Sequence, residues 1–249
     1  MSPENPLSEK IALVTGASRG IGRASALALA KAGAHVIAVA RTEGGLTELD
    51  DEIRSASGRS ATLVPLDIAE GEALDGLGLA LHQRFGRLDI LVHAAAMLGP
   101  LTPVSHIEPK QWERVLAVNL TATYRLIRTT EPLLRAAEAA RAIFLTTGRV
   151  ERPKAFWGPY GATKAAMEHL VRTWADELEQ TKIRAVLVDP NTMRTKMRAE
   201  AIPGEDPATV TDPAEIGPLM VELAQADLGL PHANVVFAQW KAAGKLASA

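Results

Sequence analysis

Hydrophobic and polar positions alternate along the chain between two kinds of segment. Short β-branched and apolar runs predict seven strands, at 11–15, 35–40, 61–66, 90–94, 142–147, 183–189 and 234–238. Longer alanine- and leucine-rich segments at helical spacing lie between them, at roughly 21–32, 45–56, 70–85, 109–138 and 158–180. Several strand runs are apolar without interruption, which is typical of strands buried on both faces. The alternation therefore predicts an α/β fold, a parallel sheet covered by helices.

The least regular stretch is 191–214, where prolines, a glycine and acidic residues interrupt any long helix. After a late strand of an α/β protein, such a segment is either a flap over the site or a surface loop with a short helix. The chain shows no internal repeat, low-complexity tract or linker. We therefore expect a single domain over residues 1–249, with 191–214 as a candidate substrate flap.

Composition and charge narrow the class of protein. The chain has 249 residues, of which 47% are hydrophobic and 22% charged, an ordinary composition for a soluble globular protein. Its 27 basic and 29 acidic residues give a net charge of -2, so nothing global favours nucleic acid or an anionic membrane as a partner. The absence of cysteine excludes disulfides, thiolate nucleophiles and cysteine-rich metal sites, and we predict no metal. Without a signal-peptide core or a run of roughly 18 to 20 apolar residues, a cytoplasmic protein is expected.

A glycine-rich turn follows the first predicted strand. The segment TGASRGIGRA places Gly16, Gly20 and Gly22 where that strand turns into the first helix. Glycines let a phosphate approach the backbone N–H groups at the positive end of a helix. The spacing G-x-x-x-G-x-G differs from the usual G-x-G-x-x-G fingerprint, and glycine also ends strands for purely structural reasons. Its position in the alternation nevertheless predicts a pyrophosphate site.

The second predicted strand ends in Ala40 and Arg41, without a carboxylate. Dinucleotide folds hold the adenosine ribose at this point, with an acidic residue for a free 2′-hydroxyl or an arginine for a 2′-phosphate. Arg19, in the glycine turn, adds a second guanidinium suited to forked phosphate contacts. The pattern favours NADP(H) over NAD(H), with NAD(H) as the second choice. The alternative is that both arginines are solvated surface residues.

The segment YGATK opens the last long predicted helix and places Tyr160 one helical turn from Lys164. Together with TGASRGIG, and at this chain length, it resembles the short-chain dehydrogenase/reductase family over about residues 8–200. The resemblance implies a Rossmann-type, doubly wound sheet of seven mostly parallel strands with helices on both faces. It also implies a nicotinamide cofactor and carbonyl/alcohol redox chemistry. The W-G-x-Y arrangement further resembles a bacterial branch of oxidoreductases without a named substrate.

The resemblance implies four catalytic side chains. Tyr160 matches the family's general acid/base, and Lys164 the lysine that lowers its pKa and binds the nicotinamide ribose. Thr147 stands where the family usually has the serine that holds the substrate oxygen, with neighbouring Thr146 as the weaker candidate. Asn119 matches an asparagine that orders a water leading to solvent. Without the resemblance, Asn119 is a satisfied helix asparagine and the two threonines are β-formers at a strand end.

A free tyrosine has a pKa of about 10, so titration near neutral pH would need roughly 4 kcal/mol of selective phenolate stabilisation. An exposed ion pair does not supply that much. A lysine shielded from water, beside a positively charged oxidised nicotinamide, can do so.

The resemblance also implies a set of cofactor-binding residues. Asp67 and Ile68 would hold the adenine, although a strand-end turn aspartate is the simple alternative. Ala94 and Ala95 would lie against the ribose, and the segment from Pro190 would hold the nicotinamide carboxamide. The full set is Gly16, Ser18, Arg19, Gly20, Ile21, Gly22, Arg41, Thr42, Asp67, Ile68, Ala94, Ala95, Asn119, Tyr160, Lys164, Pro190, Asn191, Met193 and Thr195.

Three departures from the family pattern surround the site. HAAA at 93–96 replaces N-N-A-G, Thr147 replaces serine, and Asn191 replaces a glycine in a turn. Asparagine tolerates left-handed backbone, so that turn can survive. The lost asparagines put local rigidity in doubt; His93 either hydrogen-bonds in their place or fills a core position. A catalytically weak NADP(H)-binding sensor or scaffold is therefore the alternative to an enzyme.

The loop at 148–157 precedes the Tyr160 helix and carries Arg149, Arg152 and Lys154. These cations either recognise an anionic substrate or are simply solvated, while Trp157 and Met193 are candidates for an apolar wall. We expect a small carbonyl or alcohol substrate and neither nucleic acid nor membrane as a partner. The resemblance implies a homodimer or homotetramer, assembled through the long helices at 109–138 and 158–180.

Overall fold

A computed structural model describes residues 5–225 and 232–244, and within these ranges seven strands form one sheet in the order β3-β2-β1-β4-β5-β6-β7. The strands are β1 (Ile11–Thr15), β2 (His35–Ala40), β3 (Thr62–Pro65), β4 (Ile90–His93), β5 (Ala140–Leu145), β6 (Ile183–Asp189) and β7 (His232–Val236). Every neighbouring pair is parallel. The order reverses direction between β1 and β4, which creates the crevice where such folds bind ligands. This confirms the predicted Rossmann-type α/β fold.

Nine α-helices lie in the described ranges. They are α1 (Gly20–Lys31), α2 (Glu43–Ser57), α3 (Gly71–Phe85), α4 (Pro109–Leu116), α5 (Ala122–Ala136), α6 (Gly158–Glu177), α7 (Lys196–Ala201), α8 (Gly217–Ala224) and α9 (Phe237–Ala243). A π-helical turn at Ala117–Thr121 joins α4 to α5, and 3₁₀ turns occur at Val104–His106, Pro207–Thr209 and Pro213–Ile216. None of these helices is long and apolar enough to span a bilayer.

The alternation of side chains along the strands divides the core between the two faces of the sheet. On β1, Ala12 and Val14 join the core beneath α1, α2 and α8, whereas Ile11 and Leu13 join the core beneath α3, α5 and α6. Each strand residue is therefore buried on one face or the other, as a parallel sheet covered on both sides requires. The helices cover both faces, as predicted.

The structure differs most from the sequence predictions at four places. The single helix predicted at 109–138 is interrupted by the π-helical turn, and β5 ends at Leu145, before the threonine pair. The last strand ends at Val236 because Phe237 begins α9. Helices α7, α8 and α9 have only six to eight residues each, too few for a periodic pattern to predict them.

Candidate active site

A large cavity of about 680 Å³ opens at the carboxyl ends of the strands, beside the reversal between β1 and β4. Backbone from the glycine turn forms one wall and the start of α6 closes the far end. Most of the predicted cofactor-binding residues line this cofactor cavity: Gly16, Ser18, Arg19, Gly20, Ile21, Gly22, Arg41, Thr42, Asp67, Ile68, Ala94, Ala95, Tyr160, Lys164, Pro190 and Thr195. Residues spread over most of the chain thus meet in one place.

A second cavity of about 200 Å³ adjoins the first, and we call it the side cavity. The two share a wall made of Ile21, Thr146, Tyr160, Pro190, Thr195 and Met197. Thr147, Asn191 and Met193 line the side cavity and not the cofactor cavity. Tyr160 therefore stands where both cavities meet.

The glycine turn forms a backbone cradle that packs too closely for a side chain at Gly16 or Gly22. A Cβ on Gly16, whose φ is +69°, would lie 2.8 Å from the Ala95 nitrogen, and one on Gly22 would lie 2.3 Å from the Gly16 oxygen. No side chain caps the N-terminus of α1, and its first turn has no acidic residue. The first N–H groups of α1 are thus left for an anion at the positive helix end, and this donor chemistry fits a pyrophosphate.

Where Asp67 lines the cofactor cavity, its carboxylate forms ion pairs with two arginines. Arg114 lies 2.5 Å from its carboxylate and Arg41 lies 3.8 Å from the same oxygen. Burial opposes ionisation, but the Ala69 N–H and the Arg114 guanidinium outweigh it, so the pKa of Asp67 lies below its ordinary value. The second strand itself ends without a carboxylate, as the sequence shows, yet the fold brings one to Arg41.

Lys164 is buried one turn after Tyr160 on α6, with 2% of its surface exposed. Its Nζ donates a hydrogen bond to the Leu145 carbonyl at 2.7 Å and lies 3.7 Å from the Met167 sulfur. Burial lowers the pKa of Lys164 to about 8, and the nearby Glu168 carboxylate opposes this change. The ammonium is therefore shielded from water and close to losing its proton at mildly alkaline pH.

Tyr160 is also buried, and burial raises its pKa to about 12. A hydrogen bond from the Thr147 side chain opposes the rise, whereas the Asp189 carboxylate adds to it. The lowering of this pKa by Lys164 together with an oxidised nicotinamide stays a prediction. Desolvation of the phenolate dominates, and the lysine ammonium is bonded to the Leu145 carbonyl. Tyr160 is consequently a neutral phenol, a proton donor, at neutral pH.

The two threonines after β5 face different ways. The Thr147 hydroxyl accepts a hydrogen bond from the Arg149 N–H at 3.3 Å and is left to donate to the Tyr160 phenol. The Thr146 hydroxyl instead donates to the buried Glu168 carboxylate. The structure thus places Thr147, rather than Thr146, with its hydroxyl toward Tyr160.

Asn119 lies in the π-helical turn and lines neither cavity. Its side-chain oxygen accepts the Met97 N–H at 2.9 Å, and its Nδ2 donates to the Met97 carbonyl at 2.9 Å and to Thr163 at 3.1 Å. The amide therefore ties the segment after β4 to α6. This supports the inference that the asparagine has specific partners, but the structure does not bring Asn119 to the cavity surface. Its water-ordering role stays a prediction.

His93 makes hydrogen bonds at the end of β4, where the family usually has asparagines. Its Nδ1 lies 2.8 Å from the Thr15 hydroxyl and its Nε2 lies 3.0 Å from the Thr123 hydroxyl. The Thr123 hydroxyl donates to the Asn119 carbonyl at 3.1 Å, and the Ala95 N–H donates to Thr15 at 3.3 Å. All four hydrogen bonds have a donor and an acceptor when neutral His93 carries its proton on Nε2. Nε2–H then donates to Thr123, and Nδ1 accepts from the Thr15 hydroxyl. Burial, together with the Lys164 charge, lowers its pKa to about 3.

The turn after β6 survives its substitution. Asn191 has a φ of +58°, the left-handed conformation that its sequence position requires. Its N–H bonds to Asp189 at 2.8 Å, and its side-chain oxygen accepts the Ala238 N–H at 2.7 Å.

Sequence reasoning missed several residues of both cavities. Lys110, Gln111 and Arg114 project from α4 into the cofactor cavity, and Asp189 and Arg198 line the side cavity. The residues of α4 carry no local signal, because Arg114 meets its partner Asp67 only after folding. Asp189 did carry one, since it ends a strand directly before the Pro190 turn.

Comparison with known proteins agrees with this geometry. The family model for short chain dehydrogenase matches residues 10–206. The chain is 36% identical over 223 residues to the Escherichia coli K12 oxidoreductase YciK, covering 89% of this chain and 88% of that protein. A structure assigned to the short chain dehydrogenases from Pseudomonas syringae superposes with a TM-score of 0.89 at 37% identity, covering 94% of this chain and 97% of that one.

A second solved relative, from Escherichia coli CFT073, is a complex with NADPH. It superposes with a TM-score of 0.89 at 34% identity, over 94% of this chain and 99% of that one. Together with the cradle and the paired cavities, these matches confirm the resemblance found in the sequence. The protein belongs to the short-chain dehydrogenase/reductase family, oxidoreductases that act on CH–OH or C=O groups with a nicotinamide cofactor.

Proposed function

We propose that this protein is an NADP(H)-dependent oxidoreductase for a small carbonyl or alcohol substrate, with Tyr160 as the general acid/base. One observation carries the proposal: Tyr160 lies on the wall shared by the cofactor cavity and the side cavity, next to the Thr147 hydroxyl. A proton donor at the junction of a dinucleotide-sized and a substrate-sized cavity is what carbonyl reduction requires.

The chain's own residues divide the work of the reduction. A bound nicotinamide supplies the hydride to the carbonyl carbon, or accepts it in the reverse direction. The Tyr160 phenol donates its proton to the carbonyl oxygen, which the Thr147 hydroxyl holds in place. The Lys164 ammonium, whose pKa is about 8, lies one helical turn away and stabilises the phenolate that remains. Proton return through a water ordered by Asn119 completes the proposed cycle.

The protonation state of Tyr160 favours one direction. With a pKa of about 12, the phenol keeps its proton throughout the neutral range in the protein alone. Reduction needs this proton, whereas alcohol oxidation needs the phenolate as a base. We therefore expect the rate constant for reduction to be high at neutral pH and the rate constant for alcohol oxidation to increase as the pH rises.

We propose that the glycine turn holds the pyrophosphate, Asp67 and Ile68 the adenine, and the turn from Pro190 to Thr195 the nicotinamide. Arg19 and Arg41 would bind the 2′-phosphate of NADP(H). Arg19 is exposed and lines the cavity, and it takes part in no ion pair among the described residues. The NADPH complex of the Escherichia coli CFT073 relative supports this preference, with NAD(H) as the weaker cofactor.

A panel of aldehydes and ketones tests the proposal. Purified protein is given NADPH or NADH, and cofactor oxidation is followed at 340 nm alongside the Kd of each cofactor. We expect turnover of at least one carbonyl, faster with NADPH. Saturable NADPH binding with no turnover of any carbonyl would contradict the enzyme and favour the sensor, which HAAA at 93–96 motivates.

Assembly and substrate access are further parts of the proposal. A homodimer or homotetramer through the helices at 109–138 and 158–180 stays part of the proposal; Trp112 and Tyr124, exposed by 36% and 51%, lie on the first of these segments. The segment 191–214, which includes α7, supplies Met193 and Met197 to the side cavity and remains a proposed flap. Light scattering of the purified protein tests the first point. Cytoplasmic location stays a prediction, to be checked by fractionation.

A further inference from the structure

We propose that the side cavity selects small carbonyl substrates carrying a carboxylate, and that Arg149 and Arg152 hold this carboxylate while the carbonyl lies at Tyr160. The proposal rests on the function proposed above and adds the substrate class. Both arginines line the side cavity together with Thr147 and Tyr160. The specificity of the reaction would thus be set by residues outside the proton-transfer group.

A tight turn fixes both arginines relative to the reacting groups. The Arg149 N–H donates to the Thr147 hydroxyl, the Val150 N–H bonds to the Thr147 carbonyl at 3.2 Å, and the Arg152 N–H bonds to the Gly148 carbonyl at 3.1 Å. The residue that holds the substrate oxygen therefore begins the same turn that carries the two cations. An anion held here stands at a fixed separation from the carbonyl.

The Arg149 guanidinium lies over the Trp157 ring. Its guanidinium carbon lies 5.6 Å from the centre of the Trp157 ring, and that ring lies 5.9 Å from the Tyr160 ring in an edge-on contact. Two consecutive ring contacts thus link the guanidinium to the phenol. The ring attracts the cation, and the guanidinium keeps several N–H donors for a planar carboxylate besides the Nη1 that donates to the Arg152 carbonyl.

The Arg152 side chain folds back toward Gly148, in the turn after β5. A Cβ built on Gly148 would lie 3.2 Å from Arg152 Nη2 and also 3.2 Å from Asp189 Oδ2. The guanidinium therefore lies against the residue that follows Thr147. A side chain at position 148 would push it away, so the glycine keeps this approach open.

The charge of the cavity wall is positive and incompletely compensated. Within residues 5–225 and 232–244, neither Arg149 nor Arg152 has a carboxylate at ion-pair distance. Arg198, by contrast, is bound at two nitrogens by Glu205, at 2.6 and 2.5 Å. Asp189 is the single carboxylate among the described lining residues, and it accepts the Asn191 N–H. One negative charge thus faces two guanidinium groups that form no ion pair among the described residues, although Arg149 Nη1 donates to the Arg152 carbonyl at 3.5 Å.

The size and the rest of the wall define the ligand further. A volume of about 200 Å³ suits a small molecule and excludes a bulky one. Trp157, Met193 and Met197 supply an apolar surface in the same cavity. The best match is a small oxo acid whose apolar or aromatic body packs against this surface.

Matched substrate pairs test the proposal. Benzoylformate is compared with its methyl ester, and 4-formylbenzoate with its methyl ester, so that each pair differs in the charge and in one ester methyl group. Wild type, Arg149→Gln, Arg152→Gln and the double variant are assayed with NADPH, and Arg54→Gln on the exposed end of α2 is the control. The ratio of kcat/KM for acid over ester is the readout, because general damage to the enzyme cancels in it.

For at least one of the two pairs, we expect the acid/ester ratio to fall about tenfold in each single variant and more in the double variant, mainly through KM for the acid. Arg54→Gln should keep the wild-type ratio. An equal ratio in wild type and the double variant, with ester turnover present, would overturn the carboxylate site and leave the proposed function standing.

A binding measurement separates the remaining case, in which no carbonyl is turned over. Benzoate is titrated into the protein with NADP+, and the Trp157 fluorescence change is read against Trp157→Phe. Saturable quenching that the double variant loses would support the anion site although the proposed function had failed. No benzoate-dependent signal in wild type would overturn the site.

Discussion

The two cavities that meet at Tyr160 are lined by different kinds of chemical group. Glycines, alanines and backbone N–H groups form the walls of the cofactor cavity near the glycine turn, where Gly16 packs against Ala95 too closely for a side chain. Long side chains on a turn and after β6 form the side cavity, among them Arg149, Arg152 and Met193. The first is therefore selective through backbone shape, which few substitutions preserve. The second is selective through side-chain chemistry, which can change without disturbing the sheet.

Tyr160→Phe gives the largest expected effect, because it removes the proton donor and leaves both walls in place. We expect kcat/KM for carbonyl reduction to fall by about a thousandfold, with the Kd for NADPH changed less than about twofold. The exposed Tyr124, the only other tyrosine, supplies the control Tyr124→Phe. Steady-state kinetics and NADPH fluorescence titration measure the two quantities. Turnover retained by Tyr160→Phe would refute the role of Tyr160 as the proton donor.

Gly22→Ala tests whether backbone shape defines the cofactor cavity. The new Cβ would meet the Gly16 oxygen at 2.3 Å, so the turn must move. We expect the free energy of unfolding to fall by about 3 kcal/mol and NADPH affinity to drop at least about tenfold. Gly44, in the first turn of α2, has open space and is the matched control. Gly44→Ala should stabilise the protein by about 0.5–1 kcal/mol, and equal behaviour of the two variants in urea denaturation would argue against the cradle.

Lys164→Met separates function from stability at the junction. Burial disfavours the charged lysine, as its pKa of about 8 indicates, so the apolar variant should be about 2 kcal/mol more stable at pH 7. This gain is what remains after the Leu145 carbonyl loses its partner. Turnover should fall at least about a hundredfold. Denaturation and kinetics are compared with Lys31→Met, an exposed lysine on α1, and lower stability of Lys164→Met would contradict the assignment.

His93→Asn tests the buried hydrogen bonds that His93 makes to Thr15 and Thr123. Because the folded protein holds His93 neutral with a pKa of about 3, its contribution to stability is complete above the unfolded value of about 6.5 and declines as the pH falls toward 3. Between pH 7 and pH 5, wild type should lose about 2 kcal/mol more than the asparagine variant. Urea denaturation at both pH values measures the difference, and parallel losses would show that His93 is not held neutral.

Arg41→Ala should have the smallest effect, since this side chain is 62% exposed and partly neutralised by Asp67. We expect about a tenfold loss of NADPH affinity and little change for NADH. Equal losses for both cofactors would mean that Arg41 does not bind the 2′-phosphate. Arg54→Ala, at an exposed arginine on α2, is the matched control.

The two cavities also differed in how far the sequence predicted them. The glycine turn gave a local signal, because its spacing reflects one turn between a strand and a helix, and the structure places those glycines at the cavity wall. In the side cavity, the sequence left open whether Arg149 and Arg152 are solvated. Only the fold of the turn after β5 brings both to Tyr160.

The sequence by itself determined the strand and helix alternation, the glycine turn and the Tyr160–Lys164 spacing, since each depends on neighbours within one element. Tertiary structure decided what depends on burial and distant partners. In the folded protein, Asn119 bonds to Met97 and does not line the cavity, and Arg114 pairs with Asp67. Tertiary structure also raised the pKa of Tyr160, because desolvation is a property of the packed interior that no local pattern contains.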